Sequence, residues 1–171
     1  RIIEEEGIAK ALLLSEDKIN PQEKARYIDE FYQLYKAKDL SLDAVKGMFS
    51  GTLYYAAMMA AEGKVDGLVA GAAHTTPDVA RACIRCIGVD SRISIVSSCL
   101  IISVPNCPYG EEGTFLFADC GIIPDPNSRQ LACISIAASE LASKVLGLTP
   151  AVALLSYSTK GSGGFGKSIE K

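Results

Sequence analysis

The sequence contains no tryptophan and a single histidine, and aromatic residues of all kinds make up 7% of its 171 positions. Basic charge is also in short supply: 17 Lys and Arg stand against 20 Asp and Glu, for a net charge of −3. That balance, with no basic cluster anywhere, offers no electrostatic footprint for a phosphate backbone, so nucleic acid is excluded as the expected partner. No apolar run approaches the roughly 20 residues that a membrane-spanning helix requires, and the opening RIIEEEGIAK has no apolar signal region. A soluble, cytoplasmic protein with no membrane partner is therefore expected. The opening also lacks an initiator methionine, so the chain reads as part of a longer polypeptide. What is present is ordinary globular composition, 49% hydrophobic and 22% charged, enough for one good-sized core or two small ones.

The scarcity of histidine bears on metals as well. Six cysteines occur (Cys83, Cys86, Cys99, Cys107, Cys120 and Cys133). Cys83 and Cys86 form C-x-x-C, but no second pair stands at finger spacing and His74 is the only imidazole, so no metal site is expected. On a helix these two would face the core one turn apart. Cys99, Cys120 and Cys133 sit among apolar neighbours, where free cysteine behaves as a small hydrophobe. Cys107 alone has a different setting, in a turn-rich link.

Periodicity shows helices alternating with short apolar segments, the pattern of an α/β protein with a largely parallel sheet. ALLLS (11–15) reads as a strand. A helix is expected over 21–38 with Pro21 in its first turn, a second after Ser41 as cap, and a third over 53–64. DGLVAGA (66–72) reads as the next strand, followed by a loop and a helix that begins near Pro77. RISIVSSCLIISV (92–104) and TFLFADCGI (114–122) read as strands joined by the link 105–113, a pair that need not be parallel. A helix over 124–147, capped by Asn127 or Ser128 and ended by Gly147, then leads to a strand at 151–158.

GSGGFGKS (161–168) fits G-x-x-x-x-G-K-[ST], the loop whose backbone N–H groups cradle nucleotide phosphates. The motif needs a strand running directly into it and a helix leaving it. Thr159 and Lys160 intervene on one side, and only Ile169, Glu170 and Lys171 follow on the other. A P-loop hydrolase is the reading this segment would support alone.

Three longer segments point elsewhere. VDGLVAGAAHTTPDVAR, VPNCPYGEEGTFLFAD and VALLSYSTKGS resemble, in the same order and over nearly the whole chain, signature segments of the phosphate acetyltransferases and phosphate butyryltransferases. On that resemblance STKGS is the family segment, and the GKS that follows falls where the family varies freely. The fold implied is three-layer α/β/α, of the two-domain isocitrate and isopropylmalate dehydrogenase-like kind, incomplete at both ends. Residues 1–98 would form part of the first domain and 99–171 part of the second, with the active site in the cleft between them. The activity implied is reversible transfer of an acetyl group between coenzyme A and inorganic phosphate, with no bound cofactor, CoA and acetyl-CoA as substrates, and a homodimer as the assembly.

The resemblance assigns roles residue by residue. Arg81 would bind the acyl phosphate and stabilise the developing oxyanion, work that suits a planar, permanently charged fork. Thr75 and Thr76, at the positive end of the helix bearing Arg81, would join the same site. Ser158, Thr159 and Lys160, at a strand's carboxyl end, are further candidates for the anion, and Cys107 would be a cleft cysteine that is not the nucleophile. His74 is not assigned as the base. Tyr35 stands where the family commonly has arginine, so one anion contact would be lost or supplied by Lys36. The family's later segment, with the aspartate that serves the CoA thiol, is absent from these 171 residues. The alternatives implied are butyryl specificity, or a noncatalytic acyl-CoA-sensing domain like that of the large malic enzymes.

Overall fold

The computed structural model describes residues 18–155, and the chain divides between Gly88 and Val89 into two compact units. The first unit contains α1 (Pro21–Tyr35), whose start follows from two adjacent residues. Asn20 lies in the extended region and its side-chain oxygen accepts from the N–H groups of Gln22 (2.9 Å) and Glu23 (3.4 Å). Pro21 supplies a φ already suited to the first turn, where its missing N–H costs nothing. A short 3-10 turn (Lys36–Lys38) ends in Asp39 at φ 57°, a left-handed conformation that aspartate tolerates. Ser41 then caps α2 (Leu42–Met48) by accepting from the N–H of Ala44.

The core of this unit is aromatic. Phe31, fully buried on α1, stacks on Tyr35 at 4.8 Å between ring centroids and meets Phe49 and Tyr54 edge-on, each at 5.7 Å. Tyr54 belongs to α3 (Leu53–Ala61), which buries five of its nine residues, as expected of a helix apolar on most faces. Polar atoms close the rim of the core. Tyr27 donates to Glu62 at 2.9 Å, Arg26 forks onto the same carboxylate, Lys64 joins it at 3.0 Å, and Tyr55 and Lys64 both donate to Glu23.

This rim makes the first unit acid-sensitive in a defined window. Arg26, then Lys64 and Tyr27, hold the Glu62 carboxyl down from its ordinary 4.5 to about 2. A carboxyl lowered by folding stabilises the fold above its unfolded pKa and loses that contribution as pH falls through the folded one. The melting temperature should therefore decline from about pH 4.5 toward about pH 2, and Glu62→Gln should decline less steeply over the same range. An equal slope in the two proteins would remove Glu62 from the account.

α4 (Thr76–Cys86) completes the unit and packs on α3. Between α3 and α4, residues 66–72 do not form the expected strand. Leu68 rests against the core while the other residues of 66–72 are exposed, and no described segment runs alongside to complete a ladder. The strand expected at 11–15 lies outside the described residues.

The second unit holds the sheet. β1 (Cys99–Ser103) and β2 (Thr114–Ala118) pair antiparallel, with Cys99 opposite Ala118 and Ser103 opposite Thr114. The pattern implied a largely parallel sheet, whereas among the described residues this hairpin is the whole of it. Both strands are shorter than the apolar runs that announced them, for local reasons. Before β1, the Ser94 N–H bonds to the Asp90 carbonyl (2.7 Å) and Ser94 adopts φ 61°, so the chain turns over 91–95 instead of extending, and the ladder starts at Cys99. After β2, the Asp119 carboxylate gathers the N–H groups of Gly121 (2.9 Å), Ile122 (3.1 Å) and Ile123 (2.8 Å) and the hydroxyl and N–H of Ser98, which curls the chain out of the ladder. Burial pushes that carboxyl up, but the Gly121 N–H, the Ser98 hydroxyl and the Ile122 and Ile123 N–H groups outweigh it and hold it well below the usual range.

α5 (Ser128–Val145) lies against β2. It starts with a reciprocal cap: the Asn127 side chain accepts from the Gln130 N–H at 2.9 Å, and the Gln130 side chain accepts from the Asn127 N–H at 2.8 Å. Gly147 at φ 68° follows its last turn. Residues 151–155 are exposed and unpaired, not the strand expected there, since no described strand flanks them. No helix among the described residues is long and apolar enough to cross a membrane.

Candidate functional site

Thr75 is the residue at which α4 begins. It sits in the extended region at φ −73°, ψ 155°, its hydroxyl oxygen accepts from the Asp78 N–H at 3.4 Å, and the same hydroxyl donates to an Asp78 carboxylate oxygen at 2.6 Å. The other Asp78 oxygen accepts from Arg81 Nη1 at 2.9 Å. One carboxylate thus ties the cap to the arginine a turn further on. The Thr75 hydroxyl first, and Arg81 after it, keep the Asp78 carboxyl below its ordinary value against the opposing effect of burial. Thr76 is the first helical residue and is exposed.

Arg81 is 53% exposed, and it borders a depression of about 370 Å³, within the size range of small-molecule sites. Ser50, Gly51, Tyr54, His74, Asp78 and Arg85 also line it, together with Met48 and Leu53. Its walls combine an aromatic and aliphatic floor with two guanidinium groups, the Asp78 carboxylate, the His74 imidazole and the hydroxyl-bearing Ser50 and Tyr54, and α4 begins beside it. A helix N-terminus and forked cations are both suited to an anion with several oxygens.

The structure links Thr75 to Arg81 through Asp78, with Thr76 next in the chain, and of the three predicted residues Arg81 lines the depression while the two threonines do not. Ser158, Thr159 and Lys160, and the glycine-rich 161–168, lie outside the described residues. Cys107 lies in the other unit, half-buried in the β1–β2 link, with its N–H on the Val104 carbonyl at 3.3 Å. Gly113, at φ 76°, closes that link; a Cβ there would stand 2.1 Å from the Val104 oxygen and 3.2 Å from Cys107 Cβ. Cys86 packs on the first core, where burial pushes its thiol up to about 12, and Cys83 is half-buried outside that cluster. Cys120 departs from the expected apolar burial: it is exposed, and its sulfur lies 3.3 Å from the Ser98 hydroxyl in the turn that Asp119 organises. Among the described residues no cluster of His, Cys, Asp and Glu could hold a metal.

Tyr35 faces inward. Its ring stacks on Phe31 and its hydroxyl donates to the Arg85 carbonyl at 3.0 Å, while Lys36 donates to Gln33 at 2.6 Å. Tyr35 is therefore a brace between α1 and α4. Two residues of the depression escaped the sequence reading. Asp78 was signalled by its place three residues after a capping threonine, and Arg85 by its four-residue spacing from Arg81, which puts both on one helical face.

With its helices and small sheet the molecule is a mixed α/β protein, and it resembles a solved phosphotransacetylase. The EutD phosphotransacetylase from Staphylococcus aureus superposes with a TM-score of 0.67 and 28% sequence identity, over 99% of this chain and 50% of that one. The family model described as phosphate acetyl/butaryl transferase matches residues 3–171, and the chain belongs to that family. It is 41% identical over 155 residues to the phosphate acetyltransferase of Thermoanaerobacterium thermosaccharolyticum, covering 91% of this chain and 47% of that protein. It is 43% identical over 136 residues to the phosphate acetyltransferase of Clostridium acetobutylicum, covering 80% of this chain and 41% of that protein. The chain thus spans about half the length of the curated relatives it matches.

Proposed function

We propose that the full-length protein is a phosphate acetyltransferase, converting acetyl-CoA and inorganic phosphate to acetyl phosphate and free CoA. In a chain of this family, the observation that carries this reading is the union of Thr75, Asp78 and Arg81 at the start of α4, beside an open depression. Phosphate oxygen attacks the acetyl carbonyl, the C–O bond forms, the C–S bond breaks, and the sulfur leaves with the electron pair and takes up a proton. Charge collects first on the carbonyl oxygen. Asp78 holds Arg81 so that its remaining N–H groups are presented toward the phosphate and that oxygen without reorganisation. The proton exchanged with the CoA thiol is assigned to the part of the protein beyond this chain, since a thiol of pKa about 8.5 stays mostly protonated at neutral pH without a base.

The two units then belong to the two domains of an isocitrate and isopropylmalate dehydrogenase-like fold, in a cytoplasmic homodimer with no resident cofactor. Family membership supports these assignments. Ser158, Thr159 and Lys160 are proposed as further anion contacts, and Cys107 as a cysteine of the cleft. The test is an assay of the full-length protein for thiol release from acetyl-CoA with phosphate as acceptor. Release should require phosphate and be matched by acetyl phosphate formed. Release that is absent, or indifferent to phosphate, would refute the proposal.

A further inference from the structure

α4 turns a second guanidinium toward the depression. Arg85 stands one turn after Arg81 on the same helical face, and both line the same wall. Their partners differ. Arg81 is held by Asp78, whereas Arg85 is half-buried and its Nη1 approaches Met48 Sδ at 3.7 Å. A thioether is a weak acceptor, and among the described residues Arg85 forms no ion pair with a carboxylate. A cation withdrawn from water normally acquires a partner, and like charges four residues apart weaken a helix. An anion between the two guanidinium groups would remedy both.

The backbone that carries Arg85 is also fixed. The Tyr35 hydroxyl donates to its carbonyl at 3.0 Å, and the Tyr35 ring is anchored on Phe31. The neighbouring floor of Met48 and Leu53 offers no competing acceptor oxygen from a side chain, and Asp78 is already occupied by Thr75 and Arg81.

We propose that Arg85 is the second guanidinium of the phosphate site, binding oxygens of inorganic or acyl phosphate jointly with Arg81. The inference rests on the acyl-transfer reading for its substrate, and its test includes an arm that does not. A phosphoryl group presents three terminal oxygens, more than the one fork of Arg81 can engage while also holding Asp78.

In the full-length protein, Arg85→Met keeps the length of the stem and removes the charged fork. It should raise KM for phosphate by about tenfold or more, the scale of a hydrogen bond to a charged group. KM for acetyl-CoA should stay within about threefold of the parent, and Arg85→Lys should fall between the two, retaining charge without the fork. Binding of inorganic phosphate alone, measured by calorimetry, should weaken by the same factor. If the parent protein transfers no acetyl group, the acyl-transfer reading fails while the calorimetric arm still decides on Arg85. An unchanged phosphate KM and Kd would overturn the proposal. So would a rise confined to acetyl-CoA, which would assign the guanidinium to the phosphates of CoA, or a lowered melting temperature with phosphate binding intact.

Discussion

Arg81→Ala in the full-length protein should lower the turnover of acetyl transfer by about 10² or more, the scale for removing one fixed stabiliser of transition-state charge. The melting temperature should move little. Arg81 is 53% exposed, and its one described ion pair is with Asp78 within the same helix, a class of interaction worth at most about 1 kcal/mol. Arg81→Lys should recover part of the activity, because it keeps the charge and loses the planar fork. Lys167→Ala makes the parallel control for the glycine-rich 161–168. Near-normal turnover in Arg81→Ala combined with loss in Lys167→Ala would move the phosphate site from α4 to that segment.

Phe31→Ala should be the most damaging core substitution in the first unit, at about 3–5 kcal/mol for deleting a buried phenyl ring. Phe31 is fully buried and touches Tyr35, Phe49 and Tyr54, so its loss opens a space bordered by three rings from α1, α3 and the turn after α2. These rings stand on separate elements and cannot all shift inward to fill it. Phe31→Leu, which retains part of the volume, should cost less. Urea titration of the two variants checks both statements. A cost for Phe31→Ala below about 1 kcal/mol, the range of surface substitutions, would show that this cluster is not what holds α1 in place.

The helices were legible in the sequence because their ends are decided within a few residues. Pro21, Ser41, Asn127 and Gly147 each act on their own turn, and each helix begins or ends where those residues indicated. Strands were less legible because a strand is completed by a neighbour. The apolar segment 66–72 has no described partner, and the apolar runs around β1 and β2 gave no hint that Ser94 and Asp119 would redirect the backbone. The site divides in the same manner. Thr75 and Arg81 came from the family resemblance of one contiguous segment. Asp78 and Arg85 became visible once α4 had a known face toward Met48, Tyr54 and the depression. Tyr35 was legible as a departure, but its bond to the Arg85 carbonyl joins residues fifty apart and could not be read in advance.

The aromatic distribution has an optical consequence. With no tryptophan in the chain, near-ultraviolet emission comes from tyrosine, and five of the seven tyrosines (27, 32, 35, 54 and 55) lie in the first unit. Two of them, Tyr27 and Tyr55, donate their hydroxyls to carboxylates, an arrangement that quenches emission by drawing the phenolic proton toward the acceptor in the excited state. Tyr109 is the one tyrosine among the described residues of the second unit, and it is exposed. Folding of the first unit should thus dim the emission of the Tyr27 and Tyr55 rings. Disassembly of the aromatic cluster would release those two hydroxyls and register as a gain of light, with no dye or engineered label, while Tyr109, exposed in the link between β1 and β2, reports separately on the hairpin.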